Sequence, residues 1–470
     1  MKLYDTAQND ILELTPVDGE VFRFYCCGPT VYGPAHIGNF RTFVIQDAFR
    51  RTLEIGGVPT KHVRNLTDVD DKTIKGAIAS NQDLTAYTDL WTDRFHRDCE
   101  ALNCLPPHVE PSAVAHIPQQ IEMIQVLIDK GHAYAAKDNS VYFKISSYED
   151  YGKLSKLDQR ELDLGKTQNE RVSDADEYEK DSVSDFVLWK AYKEEDGPYH
   201  WDSQWGNGRP GWHIECSAMS LEHLGNTFDL HSGGVDLIFP HHENEIAQSK
   251  CSYGGDFARH WFHVTHLLVE GEKMAKSKGN FFTLGDLEEK GFTAAEVRFV
   301  LMGAHYRKPL NFTISSLQAA REALAKLSKA MFEMKRDYQL SDYHYEDCLA
   351  TSDFGLFQTA WDVLQYDLNT QAAVGKMFAQ LKRLNNLSED DALITWKGWN
   401  ALVHALGIEV PEFIEEKAII APSNIQDLAV QRSEAKSNKD WAKADAIRDE
   451  LKSLGWEVLD TKDGFSFKKI

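Results

Sequence analysis

The stretch from residue 21 to residue 66 most tightly limits the fold that this chain can adopt. Residues 21–27, Val-Phe-Arg-Phe-Tyr-Cys-Cys, are rich in aromatic side chains and end at a Gly-Pro turn, which predicts a buried strand. Apolar side chains recur at helical intervals across residues 40–53, and a Gly-Gly pair then precedes the strand-like residues 61–66. A strand, a helix and a strand in this order predict a right-handed parallel βαβ unit.

The rest of the 470-residue chain divides by composition, and its length suggests about three domains. We expect an α/β fold: a Rossmann-like parallel-sheet domain at residues 1–312, interrupted by an insertion at about 105–200. An all-α helical bundle should follow at 313–410 and a small α/β module at 424–470. Residues 158–185 are polar and charged without apolar periodicity, which favours a solvated linker. In the bundle, one helix face is predicted to carry Leu317, Ala320, Leu324, Leu327, Met331 and Met334.

Composition and charge exclude several classes of protein. The chain begins without the apolar run of a signal peptide and has no stretch that would span a bilayer, so we expect a soluble, cytoplasmic protein that does not bind membranes. Seven scattered cysteines do not resemble a disulfide framework. A net charge of −22 argues against nonspecific coating of nucleic acid, although a local patch could still bind one.

Residues 36–39, His-Ile-Gly-Asn, lie between the first predicted strand and its helix. In a parallel sheet, this is the position that binds phosphate groups. Gly38 would let the backbone approach a nucleotide closely, and His36 could donate a hydrogen bond to a phosphate oxygen. A histidine that only caps the helix is the alternative explanation.

Residues 273–280, Lys-Met-Ala-Lys-Ser-Lys-Gly-Asn, form a second candidate phosphate-binding segment. Three lysines in six residues ahead of a Gly-Asn pair suggest a flexible cationic loop. Such a loop can hold a triphosphate and stabilise charge as pyrophosphate leaves. The alternative is an ordinary solvated basic loop.

Cysteine, histidine and glutamate residues from three regions could form a metal site. His241 and Glu245 are four residues apart and would share a face of a helix. Spacing leaves open whether Cys26 or Cys27 takes part, and whether His242 replaces His241. Ordinary buried cysteines remain another explanation. Two thiolates, an imidazole and a carboxylate are all plausible zinc ligands, and the candidates are Cys27, Cys216, His241 and Glu245.

Six strings of residues, in this order along the chain, carry a resemblance to a known family: YCCGPTVY at 25–32, HIGN at 36–39, NLTDVDDK at 65–72, GWHIECSAM at 211–219, FPHHENE at 239–245 and KMAKS at 273–277. On these strings the chain resembles bacterial-type cysteinyl-tRNA synthetases, which are class I aminoacyl-tRNA synthetases, over nearly its whole length. The resemblance implies that L-cysteine is activated with ATP to cysteinyl-adenylate and pyrophosphate. The cysteinyl group would then pass to the 3′-terminal adenosine of tRNA(Cys).

The resemblance also implies roles for individual residues. One zinc ion per chain would be bound by Cys27, Cys216, His241 and Glu245, which selects Cys27 over Cys26 and His241 over His242. ATP, accompanied by Mg²⁺, would be bound by His36, Gly38, Asn39, Lys273, Lys276 and Ser277. The catalytic groups among these would be His36, Asn39, Lys273 and Lys276. The amino-acid pocket would include Gly28, Thr67 and Trp212. Asn39 and Ala275 depart from the family signatures, where a histidine and a serine are usual, but His36, Lys273 and Lys276 are kept.

Zinc would explain how such an enzyme rejects serine. An ordinary pocket separates near-isosteres by only about 100-fold. If zinc binds the substrate sulfur as a thiolate, cysteine and serine are distinguished by the softness and acidity of the ligand atom. Their small difference in size then matters less. We therefore expect no editing domain.

The terminal module is the expected anticodon-binding part. It has nine basic and nine acidic residues, so it is neutral within a strongly acidic chain. Trp441 or Trp456 could stack on a splayed base, although a tryptophan in the module's core is the alternative. A cysteine ligase that joins cysteine to an amino sugar would resemble the same core but lack this module. A noncatalytic tRNA-binding or zinc-storage protein would be expected to lose His36 or the lysines.

Overall fold

The computed structural model describes residues 1–157, 184–274, 279–415, 421–461 and 464–470. The predicted linker at 158–185 lies almost entirely outside the described residues, as do Lys276 and Ser277. Within the described ranges, no helix is both long and apolar enough to cross a membrane. The chain forms two compact units, Met1–Pro411 and Glu412–Ile470.

Helices and short strands alternate through most of the first unit. In chain order, the helices of the described residues are α1 (Ile37–Ile55), α2 (Asp71–Ala79), α3 (Leu84–Ala101), α4 (Ile117–Asp129), α5 (Trp212–Leu224), α6 (Glu243–Ser252), α7 (Leu284–Glu289), α8 (Ala294–Leu301), α9 (Ile314–Asp337), α10 (Gln358–Gln365), α11 (Thr370–Gln380), α12 (Glu389–Leu406), α13 (Ser423–Ser437) and α14 (Trp441–Ser453). The strands are β1 (Lys2–Asp5), β2 (Asp10–Glu13), β3 (Phe22–Cys26), β4 (Thr60–Arg64), β5 (Ala133–Ala135), β6 (Val141–Phe143), β7 (Phe186–Ala191), β8 (Gly208–Pro210), β9 (Thr227–Gly234), β10 (Phe257–Val264), β11 (Leu267–Val269), β12 (Glu272–Lys273), β13 (Leu310–Phe312), β14 (Trp456–Thr461) and β15 (Gly464–Lys469).

A four-stranded parallel sheet forms the centre of the first unit. Its strand order is β10-β9-β3-β4, and every neighbouring pair is parallel. The βαβ unit predicted from the sequence is confirmed, because β3 and β4 pair in parallel and α1 connects them. Phe24 lies in register with His62 on one side and with Leu230 on the other. Aromatic and aliphatic side chains suit these strands because both faces of such a sheet are covered.

The insertion between β4 and β9 contains a second, antiparallel sheet of order β5-β6-β7-β8. Trp189, Phe143 and Phe186 are buried in its own hydrophobic cluster. The sheet ends at Pro210, past the expected limit of about residue 200. A proline is tolerated there because β8 is an edge strand and need not donate to a further neighbour.

The helical bundle shares its hydrophobic core with the parallel sheet. Five residues of the predicted stripe on α9 are buried and Met331 is partly buried against the same core. Trp396 and Trp399 of α12 join a cluster that also contains Phe24 of β3 and Phe40 of α1. The expected boundary between residues 312 and 313 therefore falls inside one compact unit, and the division into domains stays a prediction.

The second unit is a helix pair followed by a hairpin. Helices α13 and α14 precede the antiparallel strands β14 and β15. Ala421, Ile425, Ile447 and Leu451 form its small core. Gly455 ends the last helix with a φ of 80°, a conformation that glycine adopts without strain.

Candidate functional site

The residues singled out by the sequence meet at the carboxyl ends of the parallel strands. Cys27 follows β3, and its backbone N–H donates to Ser232 O of β9 at 3.0 Å. Helix α1 begins just beyond, and α5 carries Cys216 to the same place. Ligands of parallel α/β sheets bind at this edge, so the topology alone makes it a candidate site.

Four predicted metal ligands come together in the described structure. The ligand atoms of Cys27, Cys216, His241 and Glu245 all lie within 4.8 Å of one another, and all four side chains are buried. His241 Nε2 lies 3.0 Å from Glu245 Oε1. His241 lies in a kinked segment, Ile238–His242, in which Phe239 has an extended backbone, rather than in α6 itself. The four-residue spacing still brings the His241 and Glu245 side chains together.

A second set of donors overlaps the first. The ligand atoms of Cys27, His231, His242 and Glu245 also lie within 4.8 Å of one another. His242 Nε2 is 3.3 Å from Cys27 Sγ, and His231 Nε2 is 2.8 Å from Glu245 Oε2. Outer-shell histidines of this kind orient metal-binding side chains in many proteins. Only the first set contains two thiols, the donors that best suit zinc.

Further histidines continue this network, and sequence analysis missed them. His213 Nδ1 lies 2.9 Å from His241 Nδ1, so the other ring nitrogen of His241 faces Glu245. His263 Nε2 lies 2.8 Å from His242 Nδ1. His213 lies inside a quoted string, but its partner could be found only from the fold.

Strand geometry separates Cys26 from Cys27. Cys26 packs in the core that α1 shares with the sheet, whereas Cys27 lies in the cluster that contains Cys216. Successive side chains of a strand point to opposite faces. Cys26 is therefore absent from both donor sets in the described residues.

The electrostatics of the cluster favour anionic donors. A hydrogen bond from the Cys27 thiol lowers the pKa of Cys216 to about 6, whereas burial raises the pKa of Cys27 well above its usual value. Burial disfavours the charge of His241, but the Glu245 carboxylate outweighs it and raises the pKa of His241 to about 10. Burial also opposes ionisation of Glu245, yet His231 and His241 together lower its pKa to about 2. Negative charge at Cys216 and Glu245 would attract a divalent cation.

The expected pocket residues lie beside this cluster. The Trp212 ring stacks on the His241 ring, with 4.2 Å between their centroids. Thr67 is buried, and its hydroxyl donates to Glu215 Oε2 at 3.0 Å. Gly28 cannot be replaced without disruption, because a Cβ there would lie 1.6 Å from the backbone oxygen of Asn65.

Asn65 and Glu215 are two polar residues that sequence analysis quoted without assigning a role. Asn65 Oδ1 accepts from the Gly28 backbone N–H at 2.9 Å, and Asn65 Nδ2 donates to Thr67 Oγ1 at 3.2 Å. With the bond from Thr67 to Glu215, these contacts make a continuous chain of hydrogen bonds from Gly28 to Glu215. The position of these residues in the matching strings was the only available signal.

His36 and Asn39 cap helix α1. His36 Nδ1 accepts from the Asn39 backbone N–H at 3.1 Å, and Asn39 Oδ1 accepts from the His36 backbone N–H at 3.1 Å. This reciprocal pair is a capping box. Because Nδ1 is an acceptor, the proton of the neutral His36 ring lies on Nε2. The capping alternative and the donor role of His36 are therefore compatible.

The two predicted phosphate-binding segments are neighbours. The Ile37 backbone N–H donates to Phe282 O at 3.0 Å, and a Cβ on Gly38 would lie 2.6 Å from Met274 Cε. Lys273 ends β12 and is exposed. The structure thus places Lys273 near the start of α1, whereas Lys276 and Ser277 lie outside the described residues.

Comparison with known proteins identifies close relatives. The family described as tRNA synthetases class I (C) catalytic domain matches residues 13–322. A cysteine–tRNA ligase from Opitutus terrae is 51% identical over 474 residues, covering 100% of this chain and 99% of its own length. Cysteine–tRNA ligases from Chlamydia caviae and Brachyspira hyodysenteriae are 44% and 41% identical, covering 100% and 99% of this chain and 98% of each relative.

Solved structures with the same fold are more distant in sequence. Mycobacterium tuberculosis methionyl-tRNA synthetase in complex with methionyl-adenylate has a TM-score of 0.55 and 15% identity, covering 82% of this chain and 89% of that one. The LeuRS of Agrobacterium radiobacter K84, in a ternary complex with tRNA and LeuAMS, has a TM-score of 0.58 and 12% identity, with 85% of both chains covered. These likenesses confirm the predicted Rossmann-like fold class.

Proposed function

The chain belongs to the cysteine–tRNA ligase family of class I aminoacyl-tRNA synthetases, and on that premise we propose how its residues perform the reaction. L-Cysteine would be activated with ATP to cysteinyl-adenylate and pyrophosphate, and the cysteinyl group would then be transferred to the 3′-terminal adenosine of tRNA(Cys). Neither step needs a protein nucleophile, so catalysis rests on positioning and on stabilisation of phosphate charge. The buried four-donor cluster beside the N-terminus of α1 is the observation that carries the proposal.

Zinc fits the chemistry of this donor set. Two sulfurs, one nitrogen and one oxygen are ligands that Zn²⁺ accepts, and Cys27, Cys216, His241 and Glu245 would hold it. A bound zinc ion would supply a soft Lewis acid for the substrate sulfur as thiolate, which a serine hydroxyl matches poorly because it is harder and far less acidic. The outer histidines His231 and His242 would keep Glu245 and Cys27 oriented.

The nucleotide would bind at the start of α1. His36 Nε2 would donate to a phosphate oxygen, Gly38 would allow close approach of the backbone, and the Asn39 Nδ2 would supply further N–H donors. Lys273, Lys276 and Ser277 would bind the triphosphate from the neighbouring segment, with Mg²⁺ accompanying ATP. The cationic side chains would offset the charge that develops as pyrophosphate leaves.

Gly28, Thr67 and Trp212 would surround the amino acid. Thr67 lies just after β4 and Trp212 begins α5, and the Trp212 ring is held by its stacking on His241. The reacting carboxylate would thus lie between the metal-ligand cluster and the helix that binds ATP.

A cytoplasmic location stays a prediction.

The central experiment measures ATP–pyrophosphate exchange with L-cysteine and with L-serine. We expect exchange with cysteine to be unaffected by equimolar serine, and selectivity to exceed the roughly 100-fold that shape alone provides. Aminoacylation of tRNA(Cys), set beside ligation to an amino sugar, then identifies the acceptor. Exchange that proceeds equally well with serine would contradict selection by zinc.

The second unit would contact the anticodon of the tRNA. Trp441, at the start of α14, is 59% exposed, whereas Trp456 packs edge-on against Phe467. An exposed indole ring can stack on a splayed base. Packing in the core of the module, the alternative to base stacking, therefore describes Trp456 better than Trp441.

Replacing Trp441 with alanine should raise the KM for tRNA about tenfold or more, because stacking on one base contributes roughly 1–3 kcal/mol. Aminoacylation kinetics at varied tRNA concentration measure this effect, while exchange without tRNA should be unchanged. Leu454→Ala is a matched control, since Leu454 is a 48% exposed apolar residue of the same unit. Equal KM values for the wild type and Trp441→Ala would rule out this contact.

A further inference from the structure

Arg41 is a fully buried arginine in the second turn of α1, and its partners are backbone carbonyl groups. Its guanidinium donates to His266 O at 3.4 Å, to His305 O at 3.3 Å and to Lys308 O at 2.6 Å. Burial lowers the pKa of Arg41 to about 10, so the group stays charged at neutral pH, and no carboxylate of the described residues pairs with it. A buried charge without a counter-ion is costly, so its place in the fold requires a reason.

The three carbonyl groups precede two strands of one small sheet. His266 comes directly before β11, and His305 and Lys308 lie in the loop before β13. The two strands are neighbours in a three-stranded sheet of order β12-β11-β13. The Leu310 backbone N–H also donates to His266 O, at 3.3 Å. One side chain of α1 therefore binds the beginnings of both strands.

The third strand of this sheet carries Lys273. Strand β12 is antiparallel to β11, and Lys273 lies opposite Leu268. Leu268 is two residues beyond His266, whose carbonyl oxygen Arg41 binds, and two residues of a strand span about 7 Å. The position of Lys273 is thus set by a short hydrogen-bonded ladder that starts at the Arg41 contact.

The helix that carries Arg41 begins at the predicted nucleotide site. His36 is the N-cap of α1, and Arg41 follows it by five residues, or about 7.5 Å along the helix axis. Catalytic groups must be held within about 0.5 Å of their working positions. The guanidinium of Arg41 connects the element that presents His36 to the sheet that presents Lys273.

We propose that Arg41 is a positioning residue, which fixes Lys273 relative to the phosphate-binding start of α1 by binding the strands beside β12. The inference rests on the proposed function, because it takes Lys273 as a ligand of the triphosphate. In this role Arg41 acts through Lys273 and not on the phosphates themselves. An arginine suits the role because its planar fork can reach several carbonyl oxygens, whereas a lysine ammonium is a point charge on a flexible stem.

Arg41→Met and Lys273→Ala, alone and together, test the proposal by ATP–pyrophosphate exchange with L-cysteine. Methionine is an unbranched helix former, but it cannot donate to the carbonyl groups. A displacement of about 1 Å can cost roughly 100-fold in rate, so kcat/KM for ATP should fall about 100-fold in Arg41→Met. The KM for L-cysteine and the zinc content should not change, because Arg41 belongs to neither donor set.

The double variant shows whether Arg41 acts through Lys273. Once Lys273 is removed, its position no longer matters, so Arg41→Met should then lower kcat/KM for ATP by less than about threefold more. Losses that multiply in the double variant would overturn the proposal, since they would show that the two residues act independently.

Arg41→Lys separates the charge from the fork. Lysine keeps the positive charge but cannot bind three carbonyl groups in the same way, so kcat/KM for ATP should remain about tenfold or more below that of the wild type. Full recovery in Arg41→Lys would overturn the proposal, because charge alone would then be sufficient.

Arg298→Met is the matched control. Arg298 is an equally buried arginine on α8, and its Nε donates to Leu406 O at the end of α12. The variant should have a lower melting temperature but, assayed below that temperature, an unchanged kcat/KM for ATP. Equal losses in Arg298→Met and Arg41→Met would overturn the proposal, since they would indicate general destabilisation. A wild type without cysteine-dependent exchange would instead contradict the proposed function.

Discussion

Cys216→Ser should lose both its bound zinc and its affinity for cysteine, and cysteine-dependent exchange should fall about 1000-fold or more. The serine hydroxyl stays protonated and is a harder donor, so the cluster loses one of its two anionic sulfurs. Loss of an outer-shell partner alone costs 10- to 100-fold in metal affinity or activity, and loss of a direct ligand should cost more. Elemental analysis and exchange kinetics on the purified protein measure the two effects.

Cys26→Ala is the matched control for this substitution. Cys26 is the neighbouring buried thiol, but it faces the core on the other side of the strand. The variant should keep one zinc ion per chain and its exchange activity, although its melting temperature should fall because a cavity forms. One zinc ion retained by Cys216→Ser would contradict the first ligand set and favour the set containing His231 and His242.

His36→Ala should lower the rate of exchange about 100- to 1000-fold, the loss typical of removing one donor to developing negative charge. It should also reduce the free energy of unfolding by about 1 kcal/mol, because the alanine cannot cap α1. Binding of zinc and cysteine should be unchanged, since His36 belongs to neither donor set. ATP–pyrophosphate exchange kinetics measure the loss of rate, and thermal unfolding measures the loss of stability.

His36→Asn separates the capping function from the donor function. Asparagine is among the best N-cap residues, so stability should return to that of the wild type. Its side chain is shorter than histidine and should not reach the phosphate, so the rate should remain low. Recovery of both stability and rate in His36→Asn would show that His36 acts only as a cap.

The parallel sheet and the donor set could be predicted because their signals are local or lie in long strings. The aromatic strand, the Gly-Pro turn and the helix at residues 40–53 specify a βαβ unit without tertiary information. Periodicity identifies the strands and helices of this unit. It does not show which segments, distant in sequence, meet at the carboxyl edge of the sheet. For that reason Cys27 could not be joined to Cys216 by spacing, and the family resemblance was needed.

The supporting network could not be predicted from spacing. His231 and His263 lie on β9 and β10, and only the sheet order brings them to the kinked segment Ile238–His242. Asn65 and Glu215 act through a hydrogen bond to Thr67 from either side, and no sequence period relates them. The hydrophobic core shared by the bundle and the sheet was missed for the same reason. The apolar stripe on α9 predicts that this face of the helix is buried, but not which elements pack against it.

The hydrophobic core that joins α9 and α12 to β3 and α1 couples the stability of the helical bundle to that of the sheet. A cavity-forming substitution beside Trp399 should therefore lower the free energy of unfolding of the unit that also contains Cys27 and His36. Unfolding of the bundle alone is disfavoured, since it would expose apolar side chains of β3, the strand that leads into Cys27. Variants remote from substrate can thus reduce the abundance of active enzyme without altering its chemistry.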